Sequence, residues 1–317
     1  MTNEQIINDI KSRLTGEKET DIAYLQTEMQ IYRSFQNEEV IYAIANMMFG
    51  YMDKSVKERL DLKTHAILDE RRELYEQVVG LLNDGKLNEA KAILISLIDV
   101  YEKATYTSEM NYYDFDQMIE YFIFCETVEK GRRLKVKRYP EPVTYYTYQL
   151  ASIYLEESDL ENAKNTLKIG LKYNPRCIYI MQQLVLVYKE LNDLESYFNT
   201  LIDILNYGYT KEQLSFAYTH LAYYFEQIAQ IDALDACIEL SKTLDFSNKN
   251  DYVLCLSKYK VPCQVSSTVI KAMDDFIEYS IKIKDLSTAG YIAICAHELT
   301  DNEKYLSILE ILNKENK

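Results

Sequence analysis

The stretch TYYTYQLASIYLEESDLENAKNTLKIGLKYNP, residues 144–175, decides the fold class of this chain. Small and apolar residues recur at helical spacing in both of its halves: Thr147, Leu150, Ala151 and Tyr154, then Leu160, Ala163, Leu167 and Leu171. Ala151 and Ala163 let two helices approach closely, because neither presents a bulky side chain. Between the halves, Ser158 and Glu161 have the spacing of a capping box. The stretch therefore predicts a helical hairpin.

The same pattern recurs along the chain. A second copy follows after about 34 residues, with Leu184, Tyr188, Leu201 and the pair Asn192 and Glu195 in matching positions. A third copy lies downstream and a fourth upstream, carried by Leu221, Ala222, Phe225 and Ile238 and by Leu74, Val78, Leu81, Gly85, Ala90 and Leu94. Some copies depart from the pattern, since Tyr197 and Leu234 stand where a small residue is usual, and Val185 replaces Ala or Gly. The repetition predicts a stack of helical hairpins.

These repeats resemble the tetratricopeptide repeat (TPR). The residues that carry the resemblance are Leu150, Ala151, Tyr154, Ala163, Leu167, Gly170 and Pro175. It implies a right-handed α-α superhelix, a TPR-like solenoid with helical N- and C-terminal caps. The N-terminal sequence MTNEQIINDIKSRLTGEKETDIAYLQ and the segment RYPEP at residues 138–142 are similar to a family of uncharacterised bacterial TPR proteins. This similarity implies a bacterial cytoplasmic protein and no particular activity.

Composition supports an all-α chain with a protein partner. Only 8 Gly and 4 Pro occur in 317 residues, whereas sheets need frequent turns that use these residues. The net charge of -15 disfavours nucleic acids and anionic membranes and suits a basic or apolar partner. With no signal peptide pattern, no long apolar run and six scattered cysteines, we expect a cytoplasmic protein with reduced thiols.

We expect three regions along the chain. Residues 1–70 form an N-terminal helical cap, 71–265 the TPR-like array, and 266–317 the C-terminal capping helices. An irregular connector lies near 130–142, after a helix predicted over 112–127 whose pairing partner is missing. Thr300 and Glu303 predict a second capping box. The N-terminal region has a second interpretation, as a separate effector domain, and the sequence leaves this choice open.

The sequence offers no constellation that is typical of an enzyme. Its three histidines, His65, His220 and His297, lie far apart, and a core or groove role with one hydrogen bond suits His220 best. No Cys-x-x-Cys pair and no glycine-rich phosphate loop occurs, so we expect no metal and no cofactor. The basic residues Arg132, Arg133, Lys135, Lys137 and Arg138 are an anion-binding candidate, although a loop paired with neighbouring carboxylates suits them better.

The best candidate site is a tyrosine-rich groove. In a TPR array the first helix of each hairpin lines the inner curve, and the resemblance carries this arrangement over to three sets of residues. These are Tyr145, Tyr148 and Ser152; Tyr179, Gln182 and Lys189; and Phe216, Thr219, Tyr223 and Glu226. Tyrosine offers a large contact area and a hydroxyl for a backbone carbonyl, which suits a peptide with apolar anchors and with Lys or Arg for an acidic rim. The alternative is that these tyrosines pack between repeats.

The first hypothesis is therefore a non-enzymatic module that binds a peptide or protein segment. A second is a peptide-sensing regulatory protein, and a third is a homo-oligomeric scaffold, such as a homodimer, that uses the same surface. We expect no nucleic acid and no membrane among its partners. The sequence leaves the identity of the partner open.

Overall fold

The structure is a computed structural model that describes residues 2–34, 37–51, 62–103, 111–128, 136–138, 141–245 and 250–315. The described residues are helical except for turns and one pair of short strands, which confirms the predicted all-α class. The chain divides into two compact units, Met1–Glu73 and Leu74–Lys317. The boundary lies within the long helix α4 (Leu62–Asn83).

The first unit contains helices α1 (Asn3–Ser12), α2 (Lys18–Ser34) and α3 (Glu38–Gly50). Their apolar faces meet around a small core formed by Ile10, Leu25, Val40 and Ile44. The buried carboxylate of Asp21 accepts hydrogen bonds from the Thr15 and Gly16 backbone and from the Tyr51 hydroxyl. This carboxylate fixes the turn between α1 and α2 and ties it to the end of α3. Whether the unit serves as a cap or an effector domain stays a prediction.

The second unit continues with a series of helices, most of which pack against a neighbour in sequence. They are α5 (Leu87–Lys103), α6 (Met118–Val128), α7 (Val143–Glu156), α8 (Leu160–Tyr173), α9 (Ile178–Glu190), α10 (Leu194–Tyr207), α11 (Lys211–Gln227), α12 (Ile231–Thr243), α13 (Asn250–Ser257), α14 (Ser267–Lys282), α15 (Leu286–Thr300) and α16 (Glu303–Glu315). α5 packs against α7, and from α7 to α13 every helix contacts the next. Ala151 and Ala163 are fully buried, as the close approach of α7 and α8 requires.

Five turns between consecutive helices share one backbone geometry. In each turn a residue adopts the left-handed conformation: Gly85, Ser158, Asn192, Ala229 and Lys284. The next residue donates its N–H to a carbonyl five positions back, as Asp159 does to Tyr154 at 2.8 Å and Asp193 does to Tyr188 at 2.9 Å. This pattern closes the C-terminus of one helix and directs the chain into the next. The structure thus repeats its turns as regularly as the sequence repeats its apolar positions.

The turns correct the predicted capping boxes. Ser158 has a φ of 60°, and the N-cap is Asp159, whose carboxylate accepts from the Asn162 N–H at 3.2 Å. Glu161 instead forms an ion pair with Lys164. Ser158 does not cap α8, because its left-handed backbone differs from the extended conformation that is usual at an N-cap.

The capping box predicted at Thr300 and Glu303 is also wrong. The left-handed residue here is Asp301, with a φ of 51°. The Thr300 hydroxyl remains within α15 and donates to the Ala296 carbonyl at 2.6 Å. Asn302 provides the capping oxygen instead, since its side chain accepts from the Lys304 N–H. In both turns, the residue that caps the next helix lies after the predicted one: Asp159 in place of Ser158, and Asn302 in place of Thr300.

The region before the Thr144 hairpin differs from its prediction. Residues 112–127 do not form one helix, because Asn111–Tyr113 is a strand, β1, and α6 begins at Met118. β1 pairs in parallel with β2 (Val136–Arg138), which lies within the predicted connector. Between β1 and α6, the Asp114 carboxylate accepts from the Thr144 N–H at 2.8 Å, and the Asp114 N–H donates to the Tyr173 carbonyl. This loop anchors α6 to the ends of α7 and α8.

The pairing partner of α6 comes from the other end of the unit. α14 packs along α6, with Phe276 stacked on Phe122 at a ring-centre distance of 5.0 Å. The Lys271 ammonium pairs with the Glu126 carboxylate at 2.5 Å. The helices predicted only as a C-terminal cap therefore also cover α6, and α15 contacts α11. No helix of the described part of the chain is long and apolar enough to cross a membrane.

Candidate functional site

Four tyrosine rings form a continuous row across α4, α7 and α9, which we call the tyrosine ladder: Tyr75, Tyr145, Tyr148 and Tyr179. The ring centres of Tyr75 and Tyr145 are 6.5 Å apart, and those of Tyr145 and Tyr148 are 6.2 Å apart with nearly parallel planes. Tyr179 meets Tyr148 edge-on at 5.2 Å. These are favourable arrangements for aromatic pairs. The ladder brings together three predicted groove residues with a fourth that the sequence analysis did not select.

Helical spacing explains how α7 contributes to the ladder. Tyr145 and Tyr148 are three positions apart and so share one face of the helix. Tyr146, between them, points into the core and lies 4.8 Å from Tyr75. Tyr145 is 41% exposed, whereas Tyr75, Tyr148 and Tyr179 are half-buried. The ladder is therefore a surface that combines packed ring edges with accessible ring area.

A second aromatic group lies further along the array, and we call it the aromatic–lysine cluster: Lys189, Tyr197, Phe216, His220 and Tyr223. The ammonium group of Lys189 lies 4.1 Å from the ring centre of Tyr223, and the rings of Phe216 and His220 are 4.2 Å apart. Tyr197 is fully buried, and its hydroxyl lies 2.8 Å from His220 Nδ1 and donates to the His220 carbonyl at 3.0 Å. The cluster thus includes its own cation and its own hydrogen-bond partners.

The environment of His220 keeps its imidazole neutral. Burial, and then the positive charge of Lys189, lower the pKa of His220 from 6.5 to about 4. Burial raises the pKa of Tyr197, so its phenol also stays neutral at physiological pH. A neutral imidazole held by a neutral phenol is a packing arrangement. The sequence analysis expected His220 to be a core or groove histidine with one hydrogen bond, and its Nδ1 does contact the Tyr197 hydroxyl. A role of His220 in binding stays a prediction.

A buried polar group lies next to the Tyr179 end of the ladder. Glu120, 1% exposed in the first turn of α6, accepts from the Asn174 side-chain amide at 2.7 Å and from the Gln117 N–H at 3.2 Å. Burial raises the pKa of Glu120 from 4.5 to about 7, although both hydrogen bonds oppose that change. Burial also raises the pKa of the Cys177 thiol. This group joins α6 to the loop between α8 and α9.

Tyr179 connects this polar group to the ladder. Its hydroxyl is buried and has no hydrogen-bond partner of good geometry. Burial, then the neighbouring Cys177 thiol, raise the pKa of Tyr179, and the carboxylates of Asp116 and Glu120 add to that effect. Asp116 is exposed, and its carboxylate accepts a hydrogen bond from the Gln117 side chain. The ladder therefore ends near two acidic groups, one accessible and one buried.

The remaining predicted groove residues are polar and lie at least partly at the surface. Ser152 and Gln182 are half-buried, and Thr219 and Glu226 are exposed. The hydroxyls of Ser152 and Thr219 donate to carbonyls four residues back in their own helices. Whether any of these side chains contacts a partner stays a prediction.

The predicted anion-binding residues are only partly described. Arg132, Arg133 and Lys135 lie outside the described residues, and Lys137 and Arg138 belong to β2.

Within the described part of the chain, no group of three or more His, Cys, Asp or Glu is arranged to hold a metal ion. All six cysteines are free thiols, of which Cys177, Cys237 and Cys295 are buried.

Sequence reasoning missed two features of the site. Tyr75 lies ten residues before the left-handed Gly85, as Tyr148 lies ten residues before Ser158, so aligning the turns would have matched the two tyrosines. The hydrogen bond between Asn174 and Glu120 joins residues 54 positions apart, and no local sequence pattern predicts it.

The structure and the sequence thus define two aromatic surfaces on a helical array. No protein-family model matches this chain, and no curated protein has a similar sequence.

Proposed function

We propose that α4 to α12 form a TPR-like right-handed superhelix. Four turns of one geometry, at Gly85, Ser158, Asn192 and Ala229, and the packing of each helix from α7 to α12 on the next support this architecture. In such an array, α4, α7, α9 and α11 are the first helices of successive hairpins. Their exposed faces would then line a common inner surface, which would include the tyrosine ladder and the cluster residues of α9 and α11.

The function that we infer is the binding of a peptide or protein segment by this surface, without catalysis. The observation that carries it is the ladder itself, in which tyrosines from three helices form a row with accessible rings. Aromatic side chains provide much contact area for little loss of conformational entropy, which is why they dominate binding hot spots. Large exposed aromatic patches on a protein usually serve recognition.

A peptide-display experiment tests this function. A library of random peptides is selected on the full-length protein, and the enriched peptides are synthesised with a fluorescent label. Binding is measured by fluorescence polarisation for wild type, Tyr145→Ala and the double variant Tyr145→Ala with Tyr148→Ala. We expect the double variant to bind about tenfold more weakly or worse, since hot-spot truncations typically cost more than about 1 kcal/mol.

The matched control is Tyr291→Ala on α15, because Tyr291 is 57% exposed and lies outside the ladder. It should bind the selected peptides as wild type does. Equal binding by wild type and the double variant would exclude the ladder as the site. Light scattering gives a second check, since a dimer that Tyr145→Ala converts to a monomer would make the ladder a self-interface instead.

A further inference from the structure

Several tyrosine rings along this array are covered by a cation from the chain itself. Lys91 lies 5.3 Å from the ring centre of Tyr154, and Lys168 lies 5.9 Å from that of Tyr188. Two other cations lie closer: Arg176 is 4.0 Å from Tyr207, and Lys189 is 4.1 Å from Tyr223. Each pair places a positive charge against the negative face of a ring, which is a favourable contact. This fold uses cation–π pairing repeatedly.

The tyrosine ladder has no such pair in the described part of the chain. Among the residues that the structure describes, no lysine or arginine lies over Tyr75, Tyr145, Tyr148 or Tyr179. Lys189, the single lysine of the predicted groove residues, is already placed on Tyr223. The ladder rings therefore keep their negative faces available, and Tyr145 exposes the largest part of its surface.

The overall charge of the chain has the sign that attracts a cation. The chain carries 50 acidic and 35 basic residues, which gives a net charge of -15. Asp116, close to the Tyr179 end, is exposed and forms no ion pair with any described residue. A negative surface raises the local concentration of a cationic ligand and speeds its association.

We propose that the ladder binds a peptide segment that carries arginine or lysine, with the cationic groups lying over the rings of Tyr145 and Tyr148 and pairing with Asp116. This inference rests on the proposed function and specifies the chemistry of the ligand. Arginine suits the site best, because its planar guanidinium stacks on aromatic rings and loses little hydration when it does so.

The test compares two labelled peptides of equal length, one with arginine alternating with serine and one with citrulline in place of each arginine. Citrulline keeps the shape of arginine and removes its charge. Affinities are measured by fluorescence polarisation with the full-length protein at low and high salt. We expect the arginine peptide to bind about tenfold tighter or more, since several cation–π contacts and one ion pair add together.

Variants of Tyr148 separate ring contacts from diffuse attraction to an acidic protein. Tyr148→Phe keeps the ring and should retain the affinity within about twofold, whereas Tyr148→Leu removes it and should weaken binding about fivefold. Asp116→Asn should reduce the salt dependence. Tyr291→Leu is the control that leaves affinity unchanged, and urea unfolding verifies that every variant is folded.

Three results would overturn the inference. Equal binding of the arginine and citrulline peptides would show that charge is irrelevant. Equal binding by wild type and Tyr148→Leu would assign the attraction to the acidic surface at large. Neutral display-selected peptides that bind the ladder, with no gain from added arginine, would contradict the ligand chemistry while leaving the proposed peptide-binding function intact.

Discussion

The tyrosine ladder and the aromatic–lysine cluster are both aromatic groups on the helical array, yet they differ in which side chains contact their rings and hydroxyls. In the cluster, Lys189 covers the ring of Tyr223, and the Tyr197 hydroxyl is paired with His220. In the ladder, the rings contact one another, and the buried Tyr179 hydroxyl lies beside the Cys177 thiol without a hydrogen bond of good geometry. The comparison leads to a hypothesis: the cluster stabilises the fold, whereas the ladder serves the proposed binding of a ligand.

The largest test of this comparison is to truncate one tyrosine in each region. Tyr197→Ala should lower the free energy of unfolding by about 3–5 kcal/mol, because it removes a fully buried ring and leaves a cavity. Tyr145→Ala should cost about 1 kcal/mol or less, since the ring is 41% exposed. Urea unfolding followed by circular dichroism measures both values. Similar losses for the two variants would show that the ladder is structural core.

A second test uses the buried carboxyl beside the ladder. Burial raises the pKa of Glu120 from 4.5 to about 7, so the folded protein holds a proton that the unfolded chain has released. This group's contribution to stability is complete below pH 4.5 and is lost as pH rises through 7. Glu120→Gln keeps both hydrogen bonds without the charge and should stabilise the protein by about 2–3 kcal/mol at pH 8.

Unfolding free energies of wild type and Glu120→Gln at pH 5 and pH 8 provide the measurement. The two proteins should be alike at pH 5 and should separate at pH 8. Glu226→Gln, on an exposed part of α11, is the control that should change neither value. A wild type whose stability is constant between these pH values would contradict the burial of an ionisable Glu120.

The aromatic–lysine cluster should respond to pH in the opposite direction. The pKa of His220 is lowered from 6.5 to about 4, first by burial and then by Lys189. Its contribution to stability is complete above pH 6.5 and is lost as pH falls through 4, because the unfolded chain binds a proton that the folded protein excludes. The loss should amount to about 1–2 kcal/mol, a figure reduced for the partial exposure of the ring.

Replacing the imidazole should remove this acid sensitivity. His220→Gln keeps a hydrogen-bonding group beside Tyr197 and titrates nowhere in this range. Its unfolding free energy should therefore change less than that of wild type between pH 7 and pH 4.5. Nuclear magnetic resonance titration of the His220 ring gives a direct check, and an ordinary histidine pKa would show that the cluster is open to water.

The smallest expected effect comes from uncovering the ring of Tyr223. Lys189→Met keeps the aliphatic length of the side chain and removes its charge, and it should cost about 0.5–1 kcal/mol through the lost cation–π contact. If coverage by a cation distinguishes the two regions, this variant should also gain affinity for the arginine peptide described above. Unchanged affinity would show that the difference between ladder and cluster lies elsewhere, in ring exposure or backbone position.

Much of the fold could be predicted because its signals are local. The all-α class, the packing of α7 on α8 and the burial of Ala151 and Ala163 follow from spacing within a few turns of helix. The capping boxes failed at the level of single residues, since the left-handed conformation of Ser158 and Asp301 depends on how each turn closes. Of the candidate site, Tyr145, Tyr148 and Tyr179 were selected from the resemblance to TPR arrays, but their mutual contacts were not predicted.

The sequence by itself determined the all-α class and the apolar faces of the Thr144 hairpin, because helical periodicity acts over a few residues. Only the tertiary structure decided which tyrosines meet and which rings the chain's own lysines cover. It also gave α6 its partner, since Lys271 and Glu126 lie 145 positions apart and no local pattern connects them. The burial that raises the pKa of Glu120 has the same origin, because it depends on helices that come together only when the chain folds.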